Sequence, residues 1–546
     1  MIMQVLHRVP GWLMVLLLGC ALALPNLGAT SLWDDDEGVN AECTREMVEA
    51  NTVIIPTFNW DLRTAKPIFL YWVMRASFAV SGETELAARM PSAVAFVLML
   101  LVLYDMARRM FDRTTGLVAA GIAGSTLELT KLGHAATTDS LLILFTVLFF
   151  WGLWAFRRLW PLVCGLASAL MMLTKGPAVG VVLPLTILLL LMIWNKELRR
   201  LRTWWLPVGL IAWVFVAVPW YVLVATETKG EWARAFFFNE NLARASEPKE
   251  NHTGVPVVYE FGMVCLFFAP YSAFLYGTFR NALTGSGSPR SSPSRNAVRL
   301  LVVWVVVYFV ACAAAATKLP HYIAPSYPAL AILTAHFLLQ WKRGLAPTAE
   351  WVPRAGALGY ICMGVIVVGG CLIAGGVFPV NLAKVRVFPG LAWWAWLGLL
   401  PLVAGLVMYR TSDRAKFVML AVLAPVLLAS VLTSCAIQPI EARKAVKKLV
   451  AESGARQLDT EVRIGRFEYT KPSITFYVGR RVEHLMTPEA AAEFLMFPVP
   501  SYLFVTEKDW EEKVLPLVVN RLTSVAARQY DYDRNQDIVV VVNRPR

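Results

Sequence analysis

Apolar stretches, each close to the length of a bilayer crossing, alternate with short polar turns along most of this chain. A spanning helix needs about 20 apolar residues, and about thirteen such stretches can be drawn. They centre on Leu17, Phe96, Ala123, Thr146, Ala169, Ile187, Phe215, Leu266, Val306, Leu330, Val365, Leu397 and Leu423. The runs around Ala123 and Ala169 are short and carry polar residues. The first run, from about Trp12, follows Arg8 and has no small-residue cleavage site, so it reads as an uncleaved helix rather than a signal peptide.

The pattern breaks in two places. Within the long polar stretch 33–89, "AECTREMVEA" and "PIFLYWVMRASFAV" are short and amphipathic, which predicts helices lying in the interface plane. From about Ile437 onward, helix-like runs ("EARKAVKKLVAES", "TPEAAAEFL", "KDWEEKVLPLVV") alternate with strand-like ones ("VRIGRF", "SYLFVT", "DIVVVVN"). That alternation predicts a small soluble α/β domain over 437–546, behind a transmembrane region over 1–436. The Gly/Ser/Pro-rich "LTGSGSPRSSPSRN" reads as a flexible loop.

Composition narrows the class. Of the residues, 57% are hydrophobic and 16% charged, and the mean hydropathy is +0.55. These values exclude an ordinary soluble domain and fit a polytopic α-helical membrane protein. The net charge of +13 raises the question of nucleic acid. The basic residues, however, fall in every second loop: Arg108, Arg109 and Arg113, then Arg157 and Arg158, then Lys196, Arg199 and Arg200, and so on to Arg410 and Lys416. With a cytoplasmic N-terminus that distribution obeys the positive-inside rule, so the charge orients helices and points away from nucleic acid. The eight cysteines show no metal-like spacing, and no disulfide framework is expected.

The same orientation places polar residues from many helix ends on one face, the outer one. Asp34 to Glu37 ("DDDE"), Lys66, Asp139, Lys175, Asn241, His252, Lys318, His321 and Tyr322 all fall there. Ionisable groups at membrane depth are costly, so a one-sided cluster beside spans points to function. Carboxylates with several Lys would suit a base and a phosphorylated ligand. Each residue also has a plainer reading. Asp36, Glu37 and Asp139 could favour helix N-termini, Lys66 and Lys318 could snorkel, Lys175 could end its helix, and His321 and Tyr322 could anchor the interface.

In order along the chain come "DEGVNAECTREM", "AKPIFLYW", "ELAARMPSA", "TTDSLLILF", "LTKGPAVGVV", "VPWYVLV" and "TKLPHYIAPSYPALAIL". Together they resemble the bacterial aminoarabinose transferases of lipid A and their wider protein mannosyltransferase-like relatives, integral-membrane glycosyltransferases of the C-type fold. The resemblance implies a sugar donor carried on a polyprenyl phosphate such as undecaprenyl phosphate, with no nucleotide sugar. It implies transfer at the periplasmic face of the bacterial inner membrane, onto a lipid or protein acceptor. By that resemblance Asp36 is the catalytic carboxylate, with Glu37 as its companion and Asp139 as the second-loop carboxylate. Lys66 and Lys318 would contact the donor phosphate, with Tyr322 and Lys175 beside them, and His321 and Asn241 would be substrate-binding candidates. Closer lipid A transferases carry Arg and Tyr where this chain has Val39 and Asn40, and Glu where it has Ala65. Those departures leave the sugar and any divalent metal open. The competing class is a multi-span lipid or solute transporter or flippase, which would more often place ionisable groups at mid-membrane in two related halves.

Overall fold

The computed structural model describes residues 9–34, 36–243, 254–284, 293–346, 348–378, 387–388, 390–436, 441, 444–456, 461–518, 523–532 and 534–543. His252, Asp35, most of the Gly/Ser/Pro-rich loop and the 436/437 domain boundary lie at or outside these limits.

Among the described residues, seven helices are long and apolar enough to cross a membrane, from Glu85–Met110 to Arg414–Cys435. Counting the pair Val258–Phe267 and Tyr271–Thr284, bent by 114°, as one span makes eight. The remaining expected centres also carry helices, but short ones. Gly11–Ala23 (α1), Asp139–Ala155, Trp160–Lys175 and Ala178–Trp194 run to at most 17 residues, and Arg113–Gly124 has 12. A 17-residue helix rises only about 25 Å, against an apolar slab of about 30 Å.

The first outer stretch differs from expectation. Asp36–Glu49 (α2) is not an interfacial helix with one wet face, because every residue from Glu37 to Met47 is buried. Its polar residues are covered from two directions, by the transmembrane helices and by the C-terminal region. The chain then forms a small hairpin, β1 (Thr57–Phe58) and β2 (Asp61–Leu62). Phe69–Ser81 (α3) does show the amphipathic pattern, burying Leu70, Tyr71, Met74 and Phe78 while Val80 stays exposed. Glu85–Met110 (α4) follows.

Near the C-terminus five strands form one sheet in the order β4-β3-β5-β7-β6. The strands are β3 (Arg463–Phe467), β4 (Val482–Leu485), β5 (Ser501–Thr506), β6 (Ser524–Asp531) and β7 (Gln536–Val542). β4, β3 and β5 are parallel, whereas β7 and β6 are antiparallel additions. The parallel steps use crossover helices Ser473–Val478 and Pro488–Met496, as parallel pairing requires. One sheet face (Leu503, Val505, Val539, Val541) packs on Phe494, Leu495 and Trp510. The other face (Ile464, Phe504, Val540) joins the apolar cluster that also contains the transmembrane core. The sheet is therefore fastened to the helices rather than tethered beside them.

Candidate active site

The segment between α1 and α2 is held by one arginine. Arg89 in α4 is buried to 2% exposure. Its Nε and Nη2 donate to the two carboxylate oxygens of Glu37 at 2.9 and 2.7 Å. Its remaining donors reach the carbonyls of Leu27, Thr30 and Ser31 at 3.0, 2.7 and 2.9 Å. A guanidinium has five N–H groups in a fixed fork, and here the fork is filled. Glu37 also accepts from the backbone N–H groups of Trp33 and Ala136, both at 2.7 Å. Burial by itself would raise the Glu37 carboxyl; the Arg89 charge and these hydrogen bonds outweigh it and hold the group below its ordinary value. Glu37 is thus an ionised, fully engaged anchor, and no oxygen of it is left for proton transfer.

The same residues place the second outer turn. While Glu37 accepts from Ala136 N, Asn40 Nδ2 donates to Ala136 O at 3.0 Å. The "HAATTDS" turn is therefore bonded to α2 at both polar atoms of one residue. Asn40 stands where closer lipid A transferases have Tyr, and here it has a local task. Three residues on, Asp139 opens Asp139–Ala155 (α5). That helix and Trp160–Lys175 (α6) form an antiparallel hairpin of 17 and 16 residues. Equal lengths bring the first residue of one beside the last of the other, and Lys175 forms an ion pair with Asp139. Gly176, at φ +111°, ends α6 sharply; a Cβ there would lie 2.9 Å from Phe236, and left-handed backbone suits glycine.

Around this pair the other expected residues assemble. The Lys175 ammonium lies 5.3 Å from the Tyr322 ring centroid, within cation–π range. His321 meets Tyr322 edge-on at 5.1 Å. Lys66 lies within electrostatic reach of Asp139 and His321. Asn241 hydrogen-bonds Phe236 O at 2.8 Å, and its Oδ1 comes 3.3 Å from the position of a Cβ on Gly176, so it backs the Lys175 turn. Asp36 opens α2 with an exposed carboxylate, and among the described residues it makes no hydrogen bond or ion pair. It nonetheless interacts electrostatically with Lys175, His321 and Arg63.

Lys318 has other partners. It is 3% exposed, and its ammonium donates to the carbonyls of Cys312 and Ala313 at 2.8 Å each, with Glu260 3.7 Å away. These carbonyls end helix Pro293–Ala314, where a cation is favourable. Its contacts are those of a helix cap, not of a side chain open to a donor phosphate.

A cavity of about 680 Å³ opens beside Asp36, Asp139 and His321. Its lining also includes the apolar side chains of Met363, Leu428 and Leu432. Among the described residues, no three His, Cys, Asp or Glu side chains gather as a metal site.

Arg89 was recognisable in sequence only as a charge inside an apolar span, a standard warning of function or structure. The contacts of Lys471, Ser473 and Tyr477 with the acidic turn, described below, have no local signature.

Comparison with known proteins bears on the family and the fold. Residues 65–222 match the family model for dolichyl-phosphate-mannose-protein mannosyltransferase. An undecaprenyl phosphate-alpha-4-amino-4-deoxy-L-arabinose arabinosyl transferase of Erwinia tasmaniensis is 28% identical over 347 residues, covering 62% of this chain and 60% of that protein. A second such transferase, from Proteus mirabilis, is 30% identical over 321 residues, covering 57% and 56%. The chain thus spans about three-fifths of the length of the curated relatives it matches. The crystal structure of ArnT from Cupriavidus metallidurans bound to undecaprenyl phosphate superposes with a TM-score of 0.75 at 23% identity, covering 98% of this chain and 97% of that one. The chain therefore has the C-type fold of these multi-span membrane glycosyltransferases, and over 62% of its length it is similar in sequence to the aminoarabinose transferases.

Proposed function

We propose that this protein transfers a sugar from a polyprenyl-phosphate donor to an acceptor at the periplasmic face of a bacterial inner membrane. Undecaprenyl phosphate-linked 4-amino-4-deoxy-L-arabinose is the donor named for the similar proteins, and lipid A is the acceptor that the sequence resemblance suggests. The observation that carries the reading is the Asp36 carboxylate, without a hydrogen bond or ion pair among the described residues, at a cavity that apolar side chains such as Met363, Leu428 and Leu432 also line. Such a site suits a ligand with a polar head and a lipid tail.

In this reading the acceptor oxygen attacks the anomeric carbon as the bond from that carbon to the phosphate oxygen breaks. The bonding electrons leave with the polyprenyl phosphate. Asp36 orients the acceptor and takes its proton where the acceptor is a hydroxyl. Lys66 and Lys175 face the charge that grows on the departing phosphate, where a fixed cation is most effective. Tyr322 and Asp139 hold Lys175, and His321 and Asn241 shape the sugar's surroundings. Glu37 acts through its grip on Arg89. Residues 1–436 form the catalytic membrane region in this proposal, and 437–546 an α/β domain on the periplasmic side. No nucleotide sugar is required. A transporter reading has less support, since the ionisable groups sit at helix ends on one face.

The test is mass spectrometry of envelope lipids and glycoproteins from cells with the protein, without it, and with Asp36→Asn. A sugar adduct present only with the unaltered protein is expected; an envelope identical in all three would reject the reading.

A further inference from the structure

The segment leading into Asp36 is held from the far end of the chain. Asp34 accepts hydrogen bonds from Ser473 Oγ and N at 2.5 and 3.2 Å, and its other oxygen lies 3.3 Å from Lys471 Nζ. Leu32 N donates to the Tyr477 hydroxyl at 2.7 Å. Ser31 N and Oγ donate to Glu441 at 2.8 and 2.9 Å. Lys444 donates to Ser31 O at 2.7 Å and covers the Trp33 ring at 3.7 Å. Gly38 comes so close to Ser473 that a Cβ would lie 2.8 Å from Ser473 N.

These contacts complete a symmetrical mounting. Two residues before Asp36, the chain is bonded to the sheet domain through Asp34. One residue after it, the chain is bonded to the transmembrane core through Glu37 and Arg89. Asp36 itself makes no hydrogen bond or ion pair among the described residues, so its aim depends chiefly on how the two mounts hold the backbone on either side of it. Removing either mount leaves a hinge where there was a bridge.

We infer that Lys471 and Ser473 are positioning residues for the Asp36 carboxylate, so that the C-terminal sheet domain is a working part of the transfer site. The inference rests on the transferase reading above. Neither residue touches the reacting atoms. Both act through Asp34 on the direction in which Asp36 faces the cavity.

The test uses the full-length protein in nanodiscs, with undecaprenyl phosphate-linked 4-amino-4-deoxy-L-arabinose as donor and lipid A as acceptor. Ser473→Ala and Lys471→Met are expected to lower kcat about 10- to 100-fold, the scale of a small misplacement of a reacting group. Donor KM should change by no more than about twofold, as binding contacts are intact. Lys471→Arg, which keeps the charge, should recover most of the loss. Hydrogen exchange of the 31–40 amides should quicken in the two damaging variants, while exchange in the spans stays as it was. Unchanged kcat in correctly inserted Ser473→Ala and Lys471→Met, or unchanged exchange at 31–40, overturns the inference. If the unaltered protein transfers no sugar from this donor, the transferase reading falls instead, and the exchange measurement still decides whether Lys471 and Ser473 hold the segment.

Discussion

Two buried ion pairs flank the cavity, and they are built differently. In Glu37–Arg89 the side chains are 3% and 2% exposed, both carboxylate oxygens are shared, and the guanidinium fork is filled by carbonyls. In Asp139–Lys175 the exposures are 8% and 12%, and the lysine's further neighbour is a ring face. A saturated pair can only hold; an unsaturated one keeps valence for a ligand. Adjacent residues divide in the same way: Glu37 is saturated, whereas Asp36 makes no hydrogen bond or ion pair among the described residues.

The harshest way to break the comparison is Arg89→Met. It strands the Glu37 charge in a buried place and frees the 27–31 turn, which should cost about 3–5 kcal/mol of stability, read as a fall in unfolding midpoint in detergent. Lys175→Ala should do the reverse in kind. Transfer should fall about 10²–10³-fold, as for loss of one group that stabilises developing charge. The midpoint should fall less than for Arg89→Met, because Lys66 and His321 remain within reach of Asp139. Equal stability losses in the two variants would erase the distinction. Gly38→Ala touches only the fastened side, by pushing Ser473 away from α2. It should cost about 1–3 kcal/mol as an overpacked contact, with faster exchange at 31–40.

The smallest effect sharpens the comparison by its sign. Glu37 is held below its ordinary value of 4.5 in the folded chain, so its contribution is fully present above that pH and is lost as pH falls through the lower, folded value. In Arg89→Met burial is opposed only by the Trp33 and Ala136 N–H groups, and the carboxyl rises relative to the unaltered protein. If it rises above its ordinary value of 4.5, stability declines as pH rises through that value, by at most about 1.4 kcal/mol per unit. The unaltered protein should show no such decline from this group. Paired unfolding curves at several pH values measure the slope directly.

What was legible in the sequence was what local pattern can encode. The spans around Phe96, Phe215, Val306 and Leu330 declared themselves by length. Strands β3, β5 and β7 followed from runs such as "DIVVVVN". β4 and β6 did not, because "VEHL" and "SVAARQYD" spend their positions on charged and small residues. Helix α2 looked half wet because Glu42, Arg45 and Glu46 are polar; in fact they are buried, with Arg45 paired to Glu42 and Glu49 and Glu46 accepting from Thr57 and Trp60 of the hairpin. Lys318 is the clearest lesson. It sits three residues before His321, and sequence proximity grouped the two, but the lysine turns back onto the carbonyls of its own preceding helix. Ser473 and Asp34, 439 positions apart, belong to a site that no window of sequence contains.

The short hairpin of α5 and α6 has one more consequence, concerning the lipid rather than the protein. In the proposed reaction, helices of 17 and 16 residues, rising about 25 Å against an apolar slab of about 30 Å, would seat the Asp139–Lys175 pair below the bilayer surface. For a donor on a long isoprenoid tail, each methylene lifted into water costs about 0.8 kcal/mol. Under the proposed function, a recessed pair would let the phosphate be met near the depth at which the tail already holds it. The donor would then keep its tail in the leaflet, and the energy of tail insertion would anchor it instead of opposing its approach.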